Sequence, residues 1–314
     1  MRVLRFEGGQ VRSGGEELAG PGAPVWIDLA PTPENMAFLA ARFRFHPLAL
    51  EDAAHEDQRV KLEQYTDNLF TVVHRISPAP DDSELVTYEV DAFLTAEALV
   101  TVHSARIAEV DRAFERCASE PELLARGVDF ALYLVHDAIT DAHFTLVDAL
   151  TADVEELAES VLSERRDESD EELLDRVLTA RRQHVMLRKR FAPQREVFAT
   201  LARPGQALVR DQTAVYFRDV VDHAVRLTEE IDTGRDLLAS AMDAYLSSTN
   251  NRLSSVMTRL TLISTIFLPL NFIGTFFGMN LDILPPRVAV PLVLLSMVAM
   301  PVAMYAVFRR KRWL

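Results

Sequence analysis

Two apolar stretches, LTLISTIFLPLNFIGTFF (260–277) and VAVPLVLLSMVAMPVAMYAVF (288–308), are separated by only ten residues, Gly278-Met279-Asn280-Leu281-Asp282-Ile283-Leu284-Pro285-Pro286-Arg287. Neither stretch carries a charge, and each is long enough to cross a hydrocarbon core about 30 Å thick at about 1.5 Å of rise per residue. They read as a transmembrane helical hairpin. Arg309-Arg310-Lys311-Arg312 follows the second stretch directly, and basic flanks stay on the cytoplasmic side, so the C-terminus is expected inside and the Gly278–Arg287 loop outside. Two crossings then place residues 1–250 in the cytoplasm. The opening residues, Met1-Arg2-Val3-Leu4-Arg5-Phe6-Glu7-Gly8, have no apolar core of signal-peptide length, in agreement with that placement.

Charge divides unevenly along the chain. Residues from Asn251 onward sum to +6, which leaves −20 of the overall −14 on residues 1–250. So strong an anion argues against nucleic acid or anionic lipid as its partner and suits a region that meets cations, although a solvated acidic face is the simplest reading of composition alone. The single cysteine, Cys117, rules out an internal disulfide framework and is expected as a small buried apolar residue.

Residues 1–125 alternate short β-rich runs with turn clusters, which predicts a small α/β domain. Strands are expected at Val25–Leu29, Leu69–His74, Val86–Leu94 and Ala98–His103, and helices at Pro33–Arg44 and Ala105–Ser119. From about Asp129 the periodicity becomes helical. An acidic helix and an Arg/Lys-rich helix over Leu173–Phe191, divided by the charged break Glu164–Glu172, form an antiparallel hairpin. Between Pro204 and Pro269 there is no proline, and an apolar stripe from Val215 to Met257 runs into the first membrane stretch. A helix from about Thr213 to Phe276 is roughly 95 Å long and cannot bury that stripe alone, so it is expected to pack on copies of itself. The divisions are therefore 1–125, an α/β domain; 126–253, hairpin and stalk helix; and 254–314, the membrane part.

The first membrane stretch is not uniformly apolar. Ser254, Met257, Leu260, Ser264, Leu268, Asn271 and Thr275 recur every three or four residues and share one helical face, and four of the seven are polar. Lipid satisfies no polar side chain, so this face looks at other helices or at a water-filled axis. From the residues alone, tight packing is the commoner use of such a face, and the small-residue pair Gly274 and Gly278 fits it.

Gly278-Met279-Asn280 stands at the outer end of that face, between the last two membrane stretches of a chain with an acidic cytoplasmic domain. In this the chain resembles the CorA-type magnesium transporter family, whose signature is Gly-Met-Asn at the end of the first of two C-terminal spans. Tyr216-Phe217-Arg218-Asp219-Val220, Tyr245-Leu246-Ser247-Ser248, Ile266–Ile273, Lys311-Arg312-Trp313-Leu314 and, near the front, His46-Pro47-Leu48 with Leu50-Glu51-Asp52 and Gln58-Arg59 also look like family sequence. The resemblance implies a funnel-shaped homopentamer in a bacterial-type inner membrane with both termini cytoplasmic. It implies a channel-type transporter of divalent cations, Mg2+ first and Co2+ or Ni2+ besides, driven by membrane potential and closed by cytoplasmic Mg2+. Gly278, Met279 and Asn280 would form the selectivity filter. Ser254, Met257, Leu260, Ser264, Leu268, Asn271 and Thr275 would line the pore, with Leu260 and Leu268 as apolar constrictions. Magnesium dehydrates reluctantly, so a ring of neutral Asn280 carbonyls can hold the hydrated ion. The resemblance also makes Asp219 a regulatory metal ligand, with acidic partners from the α/β domain among which Asp81 and Asp82 lie in the right region. Two departures stand out: Phe277 replaces a usual tyrosine, and the outer loop carries only Asp282, with Arg287 nearby.

Two other readings compete. A zinc transporter of the same architecture, with or without proton coupling, is disfavoured because the polar face and the mouth contain no Cys or His, the ligands zinc prefers. A membrane-anchored enzyme or scaffold is disfavoured because no phosphate-binding Gly-rich loop, nucleophile elbow or His-Glu-x-x-His helix is present, and an anchor needs no polar face.

Overall fold

The computed structural model describes residues 1–79, 84–162, 169–278 and 286–311. Two compact units emerge, Met1–Ala241 and Met242–Leu314. The first is built on a seven-stranded sheet: β1 (Arg2–Glu7), β2 (Gln10–Gly14), β3 (Val25–Leu29), β4 (Lys61–Gln64), β5 (Leu69–Pro78), β6 (Leu85–Leu94) and β7 (Ala98–Val102), in the order β2-β1-β3-β7-β6-β5-β4. Every neighbouring pair is antiparallel except β3 and β7 at the centre, which run parallel from Val25 beside Ala98 to Leu29 beside Val102. Both of these strands are buried throughout, as central strands covered on two faces must be.

One face of the sheet is closed by α1 (Pro33–Arg42) and α2 (Pro47–Ala54). Each starts with proline in its first turn behind a capping residue: the Thr32 hydroxyl accepts from the Asn35 amide, and the His46 ring accepts from that of Leu48. Leu39, Ala49 and Ala53 meet Phe70, Phe93 and Val100 there. The opposite face carries α3 (Ala108–Ser119), α4 (Pro121–Ala125) and α5 (Val128–Leu162), over a core that joins Leu4, Trp26 and Leu99 to Val110, Phe114 and Val135. Cys117 is fully buried in it.

Helix α6 (Asp170–Leu201) begins with a Ser169/Glu172 capping box and runs back along α5. The hairpin is fastened to the sheet where β4 stops short. Beyond Val72, β5 has no strand on that side among the described residues, and two of its amides are received by buried side chains: His74 N donates to Gln194 Oε1 of α6 at 3.1 Å, and Ile76 N donates to His143 Nε2 of α5 at 3.0 Å. An unpaired buried amide costs about 1–3 kcal/mol, so these contacts decide where the hairpin sits.

Helix α7 (Asp211–Gly278) is unbroken for 68 residues, about 100 Å, and contributes to both units. In the first, Phe217, Val220 and Ala224 complete the core, while Leu227 and Ile231 join Leu146, Leu187 and Phe191. In the second it is followed by α8 (Pro286–Arg310). The four expected strands are β3, β5, β6 and β7. Strands β1, β2 and β4 were not expected, and the chain after Arg42 forms a second short helix, α2, that was not expected either.

Candidate functional site

Helices α7 and α8 supply two segments long and apolar enough to cross a membrane, within Asp211–Phe277 and Val290–Arg310. Along the apolar end of α7, Leu262 is buried and Ile266, Pro269, Ile273 and Gly274 are partly covered, with Gly274 lying under the Met297 methyl of α8. Leu262, Ile266, Pro269 and Ile273 share one side of the helix at 100° per residue, and Gly274 lies at its edge. Ser254, Met257, Leu260, Ser264, Leu268, Asn271 and Thr275 are all exposed and centre on the opposite side. Leu268 is 77% exposed. Thr258 and Thr265, off this face, return their hydroxyls to the carbonyls of Ser254 and Thr261 at 2.8 and 2.7 Å. Among the described residues the side chains of Ser264, Asn271 and Thr275 have no such partner, so three polar groups at membrane depth face outward from the helix pair. Gly278 is the last residue of α7, and Met279 and Asn280 lie outside the described residues.

A second arrangement lies near the other end of α7. Asp219 and His223, one turn apart on α7, meet Asp137 of α5, and one ligand atom from each lies within 4.8 Å of the others. His223 Nδ1 is 3.2 Å from Asp141 Oδ1, and His223 Nε2 is 4.0 Å from Asp219 Oδ2. Burial, then the charges of Asp141 and Asp219, raise the Asp137 carboxyl above its ordinary range, while a hydrogen bond from the Tyr133 hydroxyl works against the shift. Burial, then the Asp137 carboxylate that accepts its hydrogen bond, with Asp219 and Asp141 behind it, push the Tyr133 phenol up. Phe144 packs edge-on against His223 at 5.4 Å between centroids, which fixes the imidazole. Arg226 is occupied elsewhere, 2.9 Å from Glu230 and stacked over Phe144, so it does not neutralise Asp219.

The donor set suits a divalent ion. Oxygen ligands on opposite sides of Mg2+ stand about 4.2 Å apart, so groups within 4.8 Å can close on the ion directly or hold it through water. Such an ion would remove the like-charge cost that raises Asp137. Sequence reading singled out Asp219 but missed Asp137, Asp141 and His223. The available signal was two pairs at i, i+4, Asp137 with Asp141 and Asp219 with His223, on neighbouring helices. Asp81 and Asp82 lie outside the described residues.

The family model described as CorA-like Mg2+ transporter protein matches residues 22–310. The cobalt/magnesium transport protein CorA of Thermotoga maritima is 32% identical over 298 residues, covering 93% of this chain and 84% of its own length. The solved structure of the CorA magnesium transporter from Methanocaldococcus jannaschii superposes with a TM-score of 0.86 at 23% identity, over 100% of this chain and 99% of its own. The ZntB cytoplasmic domain from Vibrio parahaemolyticus shares the fold over 80% of this chain, with a TM-score of 0.66 at 12% identity. With its sheet domain, long helix and two apolar C-terminal helices matched from end to end, this chain belongs to the CorA-like family of divalent-cation transporters.

Proposed function

We propose that the chain forms a homopentameric channel for divalent cations, Mg2+ foremost, in a bacterial inner membrane with both termini in the cytoplasm. The observation that carries this reading is the exposed polar face of α7, which α8 leaves uncovered and which leads to Gly278-Met279-Asn280. In lipid such a face is stable only against water or other copies, and a symmetric ring supplies both. Leu260 and Leu268, about 12 Å apart along the helix, then form apolar constrictions, and Asn271 lies between Leu268 and the mouth. Neutral amide and hydroxyl oxygens suit a hydrated Mg2+, and the absence of His and Cys from this face disfavours zinc.

Asp219, with Asp137, Asp141 and His223, is assigned as the regulatory site at which cytoplasmic Mg2+ closes the pore. Its acidic partners come from α5 within the same chain, and Asp219, with its side chain 65% exposed, also remains open to a neighbouring copy. Driving force needs no nucleotide: a divalent cation moving down the membrane potential gains about 4.6 kcal/mol per 100 mV. The test is uptake into proteoliposomes. Mg2+ influx is expected to rise with an inside-negative potential, to ignore ATP, and to be competed by Co2+ and Ni2+. Strict dependence on a proton gradient at fixed potential, with zinc preferred, would overturn the reading.

A further inference from the structure

The α5–α6 hairpin carries unlike charge on its two outer edges. On α6, Arg181, Arg182 and Lys189, with Arg190 beside them, flank a groove of about 520 Å³ at whose centre Val185 is 52% exposed. On α5, Asp148, Ala152, Glu155 and Glu159 are all exposed and, at steps of four, three and four, form one stripe. Other cations of α6 are paired within the chain: Arg176 reaches Glu156 of α5 at 3.2 Å and Arg188 reaches Asp232 of α7 at 2.6 Å. Among the described residues none of the four cations, and none of Asp148, Glu155 and Glu159, has an ion-pair partner.

The geometry explains why they do not meet. At 100° per residue, each stripe is turned roughly 140° from its own helix's buried stripe, Val147, Val154 and Leu157 on α5 and Val177, His184 and Leu187 on α6. The helices face each other through those buried stripes and run antiparallel, so the acidic and basic stripes lie on opposite outer edges. The Arg176–Glu156 pair sets the level between the helices, and it puts Val185 and Asp148 within about one residue of the same height. In a ring, the right-hand edge of each subunit meets the left-hand edge of the next.

We infer that the basic edge of α6 in one copy docks on the acidic edge of α5 in the adjacent copy, forming a head-to-tail contact that repeats around the ring. A contact of unlike surfaces closes into a ring when its rotation divides a full turn evenly, whereas a two-fold contact would set basic edge against basic edge. Four cations without an ion-pair partner make a local basic patch on a soluble part of charge −20, and their complement is present on the same chain at the same helical period. The inference rests on the homo-oligomeric assembly proposed above.

Its test uses full-length chains in their membrane. Chains with Ala152→Cys are co-expressed with chains carrying Val185→Cys and treated with a short bis-maleimide. The only native thiol, Cys117, is buried and pushed up to about 12, so it stays silent. Cross-linked dimers are expected from the mixture and not from Val185→Cys chains alone. Arg182→Glu with Lys189→Glu should lower the yield several-fold, and adding Asp148→Lys with Glu155→Lys, the stripe's acidic residues nearest in height to that pair, should restore it. An intact oligomer that gives no dimer from the mixture, equal yields from Val185→Cys alone, or cross-links to other proteins instead of a second copy each overturns the docking. A monomeric mass before cross-linking overturns the assembly itself, which is a different failure.

Discussion

His143 receives a sheet amide and therefore has to stay uncharged. It is 1% exposed, its Nε2 accepts from the Ile76 amide at 3.0 Å, and Phe191 lies edge-on at 4.5 Å. Burial first, then the charge of Arg75 and the neighbouring His74, lower its pKa from 6.5 to about 3. A histidine depressed in the folded state contributes stability that is complete above the unfolded value and is lost as pH falls below 6.5 toward the folded value. Between pH 7 and pH 5 that loss is about 2 kcal/mol for this residue alone, at 1.36 kcal/mol per unit. His143→Gln keeps an oxygen acceptor for Ile76 N and removes the titration. Total stability does not isolate the effect, because Glu89, raised by burial and by the charges of Asp57 and Glu56, and Asp91, raised by burial and by Glu89, push the pH dependence the other way. The difference between the two proteins does. In urea unfolding of the detergent-solubilised chain, followed through buried Trp26 in a Trp313→Phe background, the wild-type midpoint should fall by about 0.6 M more than that of His143→Gln between pH 7 and pH 5, taking a slope of about 3 kcal/mol/M. Parallel pH profiles would refute the assignment of His143 as a neutral acceptor.

Asn280→Ala should abolish Mg2+ uptake while leaving the oligomer assembled; wild-type flux in correctly inserted protein would count against the filter. Asp219→Asn should let flux persist at high internal Mg2+ and leave α7 more open to protease, and an unchanged Mg2+ dependence of both would shift regulation to other carboxylates. Gly234→Ala should destabilise the first unit by about 1–3 kcal/mol, since a Cβ there falls 2.5 Å from His184 Nε2 on a ring already hydrogen-bonded to the Ala180 carbonyl; a thermal midpoint equal to wild type would show that the ring moves freely.

The long elements were legible because their signals are long. The helix expected over Thr213–Phe276 runs from Asp211 to Gly278, and the four apolar strands appear as read. Strands β2 and β4 escaped because they are edges: Gln10–Gly14 is mostly exposed and Lys61–Gln64 is four residues of mixed polarity, so pairing rather than pattern makes them strands. Helix α2 hides behind a proline that looks like a break and is in fact its first residue. The face of α7 could be read by spacing, because helical periodicity is local. The acidic partners of Asp219 could not, because Asp137 lies 82 residues earlier and only the packing of α5 on α7 makes them neighbours.

The core that joins Leu4 to Ala224 has a consequence for synthesis. It cannot close until Ala224 has left the ribosome, and Leu260, the start of the first apolar stretch, follows only 36 residues later. At about 5–20 residues per second that interval is roughly 2–7 s, within which a mixed α/β domain can fold. The acidic unit can therefore reach its folded state just before the first membrane-seeking segment emerges. A variant that slows closure of this core would present the membrane with an unfolded, strongly acidic chain still attached to its anchor.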